Sequence, residues 1–341
     1  MINHPTVSII IPVYNSESSI GLCLDGIRKQ SYPKENLEII IVDAGSVDQT
    51  LETVKKYNVN KIISNPLKTG EAGKSVGVQH AQNEIIALID SDNIMEEPDW
   101  LERMVQPFTD NEIIGTEPWI YTYRSTDPLL TRYCALIGMN DPLCFYLGNY
   151  DRISQISGQW TDLPLQTDDK GSYIKINMQN QTVYPTIGAN GFLVRREALL
   201  KTHYTPYLFD IDIVSELVPL GYTQYAKVKI GIVHLYAKGL GDFIRKQKRR
   251  VKDFLYYRNK KQRYYPWNEI SKWKIAKFII YTLLIVPIGI DAIRGYIRKP
   301  DKAWWFHIPA CWATLLVYGI SRIISVFPSA LKIEDRSDWN P

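Results

Sequence analysis

The chain has 341 residues with a formal net charge of +4, a length that suits one large α/β domain with an appendage. Its four cysteines lack the spacing of a metal site, so we expect reduced, mostly buried thiols in a chain that faces the cytosol. The N-terminus lacks a basic-then-apolar signal segment and is expected to enter a strand almost at once.

Short apolar stretches alternate with amphipathic ones over residues 7–89. The apolar stretches predict four strands, and the stretches between them predict three helices. The predicted strands are residues 7–13, 37–42, 61–64 and 85–89, and the predicted helices are residues 16–30, 47–57 and 73–82. Fully apolar strands separated by helices indicate an α/β fold, with a mostly parallel sheet covered by helices on both faces.

The middle of the chain is less regular. Periodicity weakens over residues 110–184, which are rich in Tyr, Asp, Gly and Pro. A strand or turn region is predicted at residues 182–194, followed by a helix from Arg195 and a final apolar strand at residues 228–235.

A basic segment at residues 241–274 leads into two apolar stretches, 275–290 and 303–320, within residues 275–330. A bilayer span needs ~20 mostly apolar residues, and both stretches are slightly short. The lysines and arginines before them suit anionic headgroups, and their tryptophans are typical of an interfacial belt. We predict two membrane-embedded or interfacial helices at residues 275–330, then a tail at 331–341.

Three arrangements of the apolar stretches are open. They span the bilayer as a hairpin, lie in one leaflet, or pack as buried helices, although the sheet domain already accounts for one core. A hairpin would place the basic residues between the two stretches outside, against the positive-inside bias, so a monotopic or re-entrant arrangement competes with it. These residues are Arg294, Arg298, Lys299 and Lys302. Because the basic run adjoins apolar stretches and no recognition module, we do not expect a nucleic-acid partner.

Two aspartates follow the fourth predicted strand directly, in Asp90-Ser91-Asp92. Ligands of a parallel sheet bind at the carboxyl ends of its strands, and that rule places Asp43, residues 70–74 and this acidic motif on one rim. Carboxylate oxygens are hard ligands that suit Mg²⁺ or Mn²⁺. The pattern therefore predicts a divalent cation site, with a solvated loop and helix cap as the alternative.

Three motifs occur in a characteristic order: Ile11-Pro12-Val13-Tyr14-Asn15, then Val42-Asp43-Ala44-Gly45-Ser46-Val47-Asp48, then Asp90-Ser91-Asp92. Together they resemble the family 2 inverting glycosyltransferases of the GT-A fold. The resemblance extends over roughly residues 7–251. It includes Gly188-Ala189-Asn190-Gly191, which resembles the glycine loop of that family, and it is more specific than any one motif.

The resemblance implies a domain layout and a chemistry. Residues 1–240 would form a GT-A, Rossmann-like catalytic domain, with a nucleotide-sugar half at about 1–110 and an acceptor half at about 111–240. The donor would be a nucleotide diphosphate sugar of UDP or GDP type, the acceptor a glycan or polyprenyl-linked molecule, and the cofactor Mn²⁺ or Mg²⁺. With the apolar stretches, this implies a membrane-associated enzyme that contacts lipids at the cytoplasmic side of the cell membrane.

The resemblance also implies roles for single residues. Asp210 would be the catalytic base, with Asp212 as second candidate, because an inverting transfer needs one carboxylate to take the acceptor proton. Asp92 would bind the metal, helped by Asp90 and His234. The residues implied to bind the nucleotide sugar are Pro12, Tyr14, Asn15, Asp43, Lys74, Asp90, Ser91, Gly191, Gln247 and Arg250.

Several of these residues also have a structural interpretation. Asp43 could shape a turn, and Asp210 could cap a helix N-terminus. His234 could be a satisfied structural histidine. Gln247 and Arg250 could belong to a solvated or headgroup-binding basic helix.

Departures from the family pattern keep other functions open. Ala44, Phe209 and Val251 stand where the family has an acid, a glutamate and a tryptophan, which leaves a degenerate nucleotide- or sugar-binding membrane protein possible. A nucleotidyltransferase also uses paired carboxylates and a metal, but it normally has a glycine- and arginine-rich phosphate loop, which residues 7–15 lack. An ATPase P-loop is rejected because it requires a glycine at Lys68.

Overall fold

The computed structural model describes residues 4–324. The chain divides into two compact units. Unit 1 comprises Met1–Trp119 and Pro164–His234, and unit 2 comprises Ile120–Leu163 and Leu235–Pro341. The predicted tail at 331–341, and residues 325–330 of the predicted apolar segment, lie outside the described residues.

The described residues form one sheet of ten strands, which lies almost entirely in unit 1. The strands are β1 (Val7–Val13), β2 (Leu37–Asp43), β3 (Lys61–Ser64), β4 (Ile85–Leu88), β5 (Asn93–Ile94), β6 (Ile113–Thr122), β7 (Gln166–Asp169), β8 (Tyr173–Asn177), β9 (Phe192–Arg195) and β10 (Gln224–His234). Their order is β3-β2-β1-β4-β9-β6-β10-β8-β7, and β5 pairs with β10. This confirms the predicted α/β class.

The four predicted strands form the parallel part of the sheet. β1 lies between β2 and β4, so that Val7 pairs with Leu37 on one side and with Ile85 on the other. Apolar residues on both faces of β1 are buried, which is why this strand shows no alternation in the sequence. β9 then pairs antiparallel to β4, and the β10–β8–β7 part is also antiparallel.

Short helices connect the strands of unit 1. They are α1 (Ile20–Arg28), α2 (Thr50–Val54), α3 (Gly70–His80), α4 (Trp100–Val105), α7 (Arg196–Leu199) and α8 (Asp212–Leu217). α3 begins three residues before the predicted start at residue 73, because the Thr69 side chain accepts a hydrogen bond from the Ala72 N–H at 2.9 Å. A Cβ on Gly73 would lie 2.8 Å from the Pro12 Cβ, so glycine lets α3 pack closely on β1.

The weakly periodic region, residues 110–184, contains the ten-residue strand β6, which the sequence analysis did not predict. Its polar residues are buried because they have partners: Thr116 donates to the Met104 carbonyl at 2.8 Å, and Glu117 pairs with Lys227 at 2.6 Å. Gly, Thr, Glu and Pro at residues 115–118 interrupt the apolar residues of this strand, so the local pattern does not indicate one continuous strand. The periodicity alone therefore missed it.

Unit 2 is built from helices. They are α5 (Leu129–Ile137), α6 (Pro142–Leu147), α9 (Leu240–Asn259), α10 (Lys272–Leu284), α11 (Val286–Arg298) and α12 (His307–Ile324). In its core, Leu130 and Tyr133 of α5 pack with Tyr236, Trp304 and Ala310. Residues 120–163, which we assigned to the acceptor half of the catalytic domain, therefore group with the C-terminal helices.

The apolar C-terminal stretches form three helical segments. Among the described residues, Lys302–Ile324 is the one helical segment long and apolar enough to cross a membrane by itself, with a mean hydropathy of 1.2. The predicted stretch at 275–290 is not one helix, because α10 and α11 meet at Ile285 with a bend of 92°. The two pass the same test only as a bent pair. All four cysteines are free, and Cys144 alone among them is only half-buried.

Candidate active site

The acidic motif forms the loop between β4 and β5. Asn93 shapes this loop, because its side-chain oxygen accepts from the Asp90 N–H at 2.9 Å. The Ser91 hydroxyl lies 3.0 Å from the hydroxyl of Ser16, which follows β1. The ends of two neighbouring parallel strands are thus held together, as the strand order requires.

Lys74 of α3 bridges two carboxylates that are distant in the sequence. Its ammonium lies 2.9 Å from an Asp90 oxygen and 2.7 Å from the Asp210 Oδ2, and its side chain is only 5% exposed. A buried ammonium needs such partners to offset its lost hydration. Lys74 therefore joins the acidic loop to the segment that carries the predicted base.

Asp210 has the properties of a general base. Its Oδ1 is buried and has no hydrogen-bond partner among the described residues, while its Oδ2 is held by Lys74. Burial raises the pKa of Asp210 to about 7, against the lowering effect of the Lys74 ammonium. A carboxyl group with a pKa near the working pH can both lose and accept a proton readily.

The helix-cap interpretation of Asp210 does not hold. α8 begins at Asp212, its N-cap is Ile211, and no side chain caps it. Asp212, the second candidate base, is buried in the first turn of this helix, with 1% of its surface exposed.

Gly188 brings the glycine loop against the backbone of Asp210. It has φ of +140°, and a Cβ there would lie 2.0 Å from the Asp210 carbonyl oxygen. Its N–H donates to Glu117 at 2.9 Å, and Glu117 is held in turn by the fully buried Lys227. Sequence reasoning missed Glu117 and Lys227, although a lysine at the start of an apolar strand was a usable signal.

We expect Gly188→Ala to damage the site without changing any polar group. A Cβ clash with the Asp210 backbone should lower the free energy of unfolding by about 1–3 kcal/mol and lower the sugar transfer that the sequence predicts. Urea unfolding and an assay of that predicted reaction measure both effects. Gly171→Ala is the matched control, because Gly171 also has positive φ (+82°) but has nothing within 4 Å of the added Cβ. Equal destabilisation by the two substitutions would contradict this account.

The second part of the glycine loop adjoins the acidic loop. The Gly191 N–H donates to the Leu88 carbonyl at 3.1 Å, and the Asn190 side chain accepts from the Asn93 amide at 3.1 Å. Gly191, predicted to bind the nucleotide sugar, is therefore held next to Asp90 and its neighbours.

Asp92 and His234 come together although 142 residues separate them in the numbering. The pairing of β10 with β5 places His234 opposite Asn93, and the His234 Nε2 lies 3.5 Å from the Asp92 Oδ1. A carboxylate oxygen and an imidazole nitrogen both suit Mn²⁺. This pair fits a divalent cation whose other positions are filled by substrate phosphates and water.

The structure does not group the three predicted metal ligands. Within residues 4–324, no set of three or more His, Cys, Asp or Glu side chains is arranged to hold a metal ion. Asp90 is engaged by Lys74, whose positive charge opposes binding of a cation at the same carboxylate. Of the three predicted ligands, Asp92 and His234 are therefore the two that lie together, and Asp90 is paired with Lys74 instead.

The residues predicted for the nucleotide lie at the ends of β1 and β2. Pro12 contacts α3 near Gly73, and the Asn15 side chain accepts from the Val47 N–H at 2.9 Å. The Asp43 carboxylate accepts from the Gly45 and Ser46 N–H groups at 3.1 Å. Asp43 therefore shapes its own turn, as the structural interpretation predicted, and Tyr14 follows β1 on the same edge.

Gln247 and Arg250 belong to unit 2. The Gln247 side chain is fully buried and donates to the Asn140 carbonyl at 2.7 Å. Arg250 lies 3.9 Å from the Asp141 carboxylate. These contacts give both residues a structural role in the helical unit, and any grip on a diphosphate stays a prediction.

A family model for glycosyl transferase family 2 matches residues 8–199, more than half of the chain. The chain belongs to glycosyl transferase family 2. This confirms the resemblance drawn from the three motifs and the predicted class of enzyme. The matched range contains the acidic loop and the glycine loop, and it ends before Asp210 and His234.

Relatives of the family 2 chain support the assignment. It is 31% identical to glycosyltransferase AglE of Haloferax volcanii over 142 residues, which is 40% of this chain and 46% of AglE. It is 33% identical to dolichyl N-acetyl-alpha-D-glucosaminyl phosphate 3-beta-D-2,3-diacetamido-2,3-dideoxy-beta-D-glucuronosyltransferase of Methanococcus voltae over 111 residues, 30% of this chain and 33% of that enzyme. The chain thus spans less than half the length of these relatives.

A solved structure shares the fold. Mannosyltransferase PcManGT from Pyrobaculum calidifontis, in complex with GDP-Man and Mn²⁺, aligns over 97% of this chain and 86% of its own with a TM-score of 0.53. The sequence identity is 16%, so the likeness concerns the fold. It confirms the predicted GT-A architecture.

Proposed function

We propose that this family 2 chain is a metal-dependent inverting glycosyltransferase. It transfers a sugar from a UDP- or GDP-linked donor to a hydroxyl or phosphate of a glycan or polyprenyl-linked acceptor, at the cytosolic face of the membrane. The observation that carries the proposal is the Asp210 carboxylate, held on one oxygen by Lys74 and buried with an unpartnered second oxygen.

Asp210 takes the proton of the acceptor hydroxyl. Inversion requires attack on the sugar carbon from the face opposite the leaving diphosphate, so the base and the diphosphate site must be separate groups. Lys74 orients Asp210 and leaves its Oδ1 to accept the proton. Asp212, buried in the first turn of α8, is the second candidate.

Asp92 and His234 would hold the divalent cation, Mn²⁺ or Mg²⁺. When bound, this cation would neutralise negative charge on the leaving diphosphate. Their contact at 3.5 Å supports this assignment, as does the Mn²⁺ bound by the mannosyltransferase that shares the fold. Ser91, held by Ser16, and Gly191 flank the same loop and are proposed to contact the donor sugar.

The nucleotide is proposed to bind at the ends of β1 and β2. Pro12, Tyr14 and Asn15 would line the pocket for the base and ribose. Asp43, at the end of the neighbouring strand β2, would lie next to them. Because Asp43 already accepts from its own turn, it acts here mainly by holding the pocket in shape. The family relative whose name includes a dolichyl phosphate supports a lipid-linked acceptor.

The transfer rate should depend on pH through Asp210. A base must be unprotonated, so kcat/KM should fall as the pH drops below about 7 and should level off above it. Lys74→Met removes a cation that favours the ionised Asp210 carboxylate. The fall in kcat/KM should therefore begin at a higher pH in this variant. Initial rates between pH 5 and 9 measure this pH dependence. Lys61→Met is the control, because Lys61 is a half-buried lysine of β3 that pairs with Glu38 and not with Asp210. If kcat/KM of Lys74→Met instead falls only at a lower pH than in the wild type, the assignment of Asp210 as the base is contradicted.

Radiolabelled sugar transfer by the full chain tests the proposed function. Purified protein with Mn²⁺ is given UDP- and GDP-sugars and a panel of polyprenyl phosphate and glycan acceptors, and NMR of the product reports the anomeric configuration. Inverted product supports the proposal, and retained configuration overturns the mechanism. Stabilisation by UDP or GDP without any transfer would favour the degenerate binder, while release of pyrophosphate from a nucleoside triphosphate and a sugar phosphate would indicate a nucleotidyltransferase.

A further inference from the structure

The helices α10 and α11 of unit 2 meet in a sharp bend. The bend is 92°, and Ile285 at its centre has φ of +61°. Pro287 follows in the first turn of α11, where its missing N–H and fixed φ favour a new helix start. We name residues 283–286 the elbow.

The elbow is apolar and exposed. The exposed fractions are 57% for Leu283, 61% for Leu284, 47% for Ile285 and 68% for Val286. Four consecutive large apolar residues at this exposure are unusual for a protein surface in water. The apolar surface continues along α11, where Ile297 is 74% exposed.

Basic residues lie at the ends of the two helices that are far from the elbow. Lys272 is exposed at the start of α10, and Arg298 and Lys299 are exposed at the end of α11. Lys277 is exposed midway along α10. The acid on α11, Asp291, is buried and accepts from Tyr146 at 2.9 Å, so it puts little negative charge on the exposed face. An apolar tip between basic ends is complementary to a leaflet of anionic lipids.

Neither helix is long enough to cross a bilayer. Each has 13 residues, which corresponds to ~20 Å, whereas the hydrocarbon core is ~30 Å thick. The bend prevents the two lengths from adding along one axis. The short helices and the bend between them fit an elbow that enters the bilayer and returns to the same side.

Contacts of α12 argue against a crossing there too. α12 packs against the basic helix α9. The Tyr318 hydroxyl of α12 donates to Asp141 and also to the Gln247 side chain at 3.2 Å, and Arg250 lies 3.9 Å from Asp141. A spanning α12 would carry these charged groups to membrane depth at a high cost.

We propose that unit 2 is a monotopic anchor: the elbow inserts into one leaflet, the basic helix ends bind anionic headgroups, and no described helix crosses the bilayer. This inference deepens the membrane association in the proposed function and rests on it only for the choice of the cytosolic face. The occupant of the apolar surface is lipid.

Vesicle flotation with the full chain tests the anchor. Wild-type protein should float with vesicles of phosphatidylcholine mixed with phosphatidylglycerol, and more weakly with phosphatidylcholine alone. Leu284→Glu with Val286→Glu should abolish flotation, and Leu220→Glu, an equally apolar residue of unit 1 that is 56% exposed, should leave it unchanged. Undiminished flotation of the double variant overturns the proposal. Sedimentation tests whether a second copy of the chain covers the elbow instead. If the wild-type chain is a dimer and the double variant is a monomer that still binds lipid, the proposal is overturned.

Labelling distinguishes one leaflet from a crossing. Lys272→Cys, Lys299→Cys and Arg322→Cys place exposed thiols at the start of α10, after α11 and near the end of α12. In sealed membrane vesicles from expressing cells, a membrane-impermeant maleimide should label all three from the same side. Labelling of any one from the opposite side overturns the monotopic arrangement.

Failure of the anchor is separable from failure of the proposed function. Thermal shift with UDP or GDP and Mn²⁺ reports the nucleotide site, and the elbow variant should keep the wild-type shift. If wild-type protein floats but neither nucleotide stabilises it, the proposed function fails and the anchor stands. If it binds nucleotide but does not float, the anchor fails alone.

Discussion

Asp210→Asn is expected to lower kcat for sugar transfer about 10²- to 10⁴-fold, while the KM for the donor changes little. The amide has the shape of the carboxyl group but cannot take the acceptor proton. Steady-state kinetics with the donor varied at saturating acceptor measure this split between kcat and KM. Circular dichroism checks the fold, because the substitution also removes one of the two ion pairs of Lys74.

Asp212→Asn is the matched comparison for the base. Asp212 is two residues away and buried in the first turn of α8, whereas Lys74 makes its ion pairs with Asp90 and Asp210. It should retain most of kcat. If Asp212→Asn loses more kcat than Asp210→Asn, the base is Asp212 and the role assigned to the Lys74–Asp210 pair is wrong.

Asp92→Ala is expected to weaken Mn²⁺ binding and to lower transfer about 10²-fold or more, because charge on the leaving diphosphate loses several kcal/mol of stabilisation. His234→Ala should have the same direction of effect, since its imidazole lies 3.5 Å from the Asp92 carboxylate. Electron paramagnetic resonance of free Mn²⁺, titrated with protein in the presence of UDP or GDP, measures binding independently of turnover.

Two comparison variants serve as controls for the predicted metal site. Asp99→Ala removes an exposed carboxylate from the same stretch of chain and should change neither Mn²⁺ binding nor transfer. Asp90→Asn should weaken transfer mainly through Lys74, with a smaller loss of Mn²⁺ affinity than Asp92→Ala. Transfer that survives exhaustive chelation, or unchanged Mn²⁺ affinity of Asp92→Ala, would refute the metal site.

Much of unit 1 could be predicted because its signals are local. The strand at Val7–Val13 is a continuous apolar run that a covered parallel sheet requires, and its predicted ends match the structure. The motif Asp90-Ser91-Asp92 follows the fourth predicted strand, so the rule for ligand sites in parallel sheets predicted the edge on which it lies. The family resemblance rested on the order of these motifs.

Residues 110–184 resisted prediction because their partners are distant. β6 buries Thr116 and Glu117, which are tolerated only because the Met104 carbonyl and Lys227 satisfy them. The helix α5 in the same stretch packs with Trp304, far along the chain. A local pattern contains no information about such partners.

The amino-acid sequence by itself determined the α/β class, the parallel strands and the family, because each depends on the hydrophobic period or on residues adjacent in the chain. Only the tertiary structure decided which charges meet. It paired Asp90 with Lys74, left one buried Asp210 oxygen without a hydrogen-bond partner, and placed His234 beside Asp92 through the register of β10 on β5. Such pairings depend on distances between residues far apart in the chain, which folding alone brings within a few ångströms.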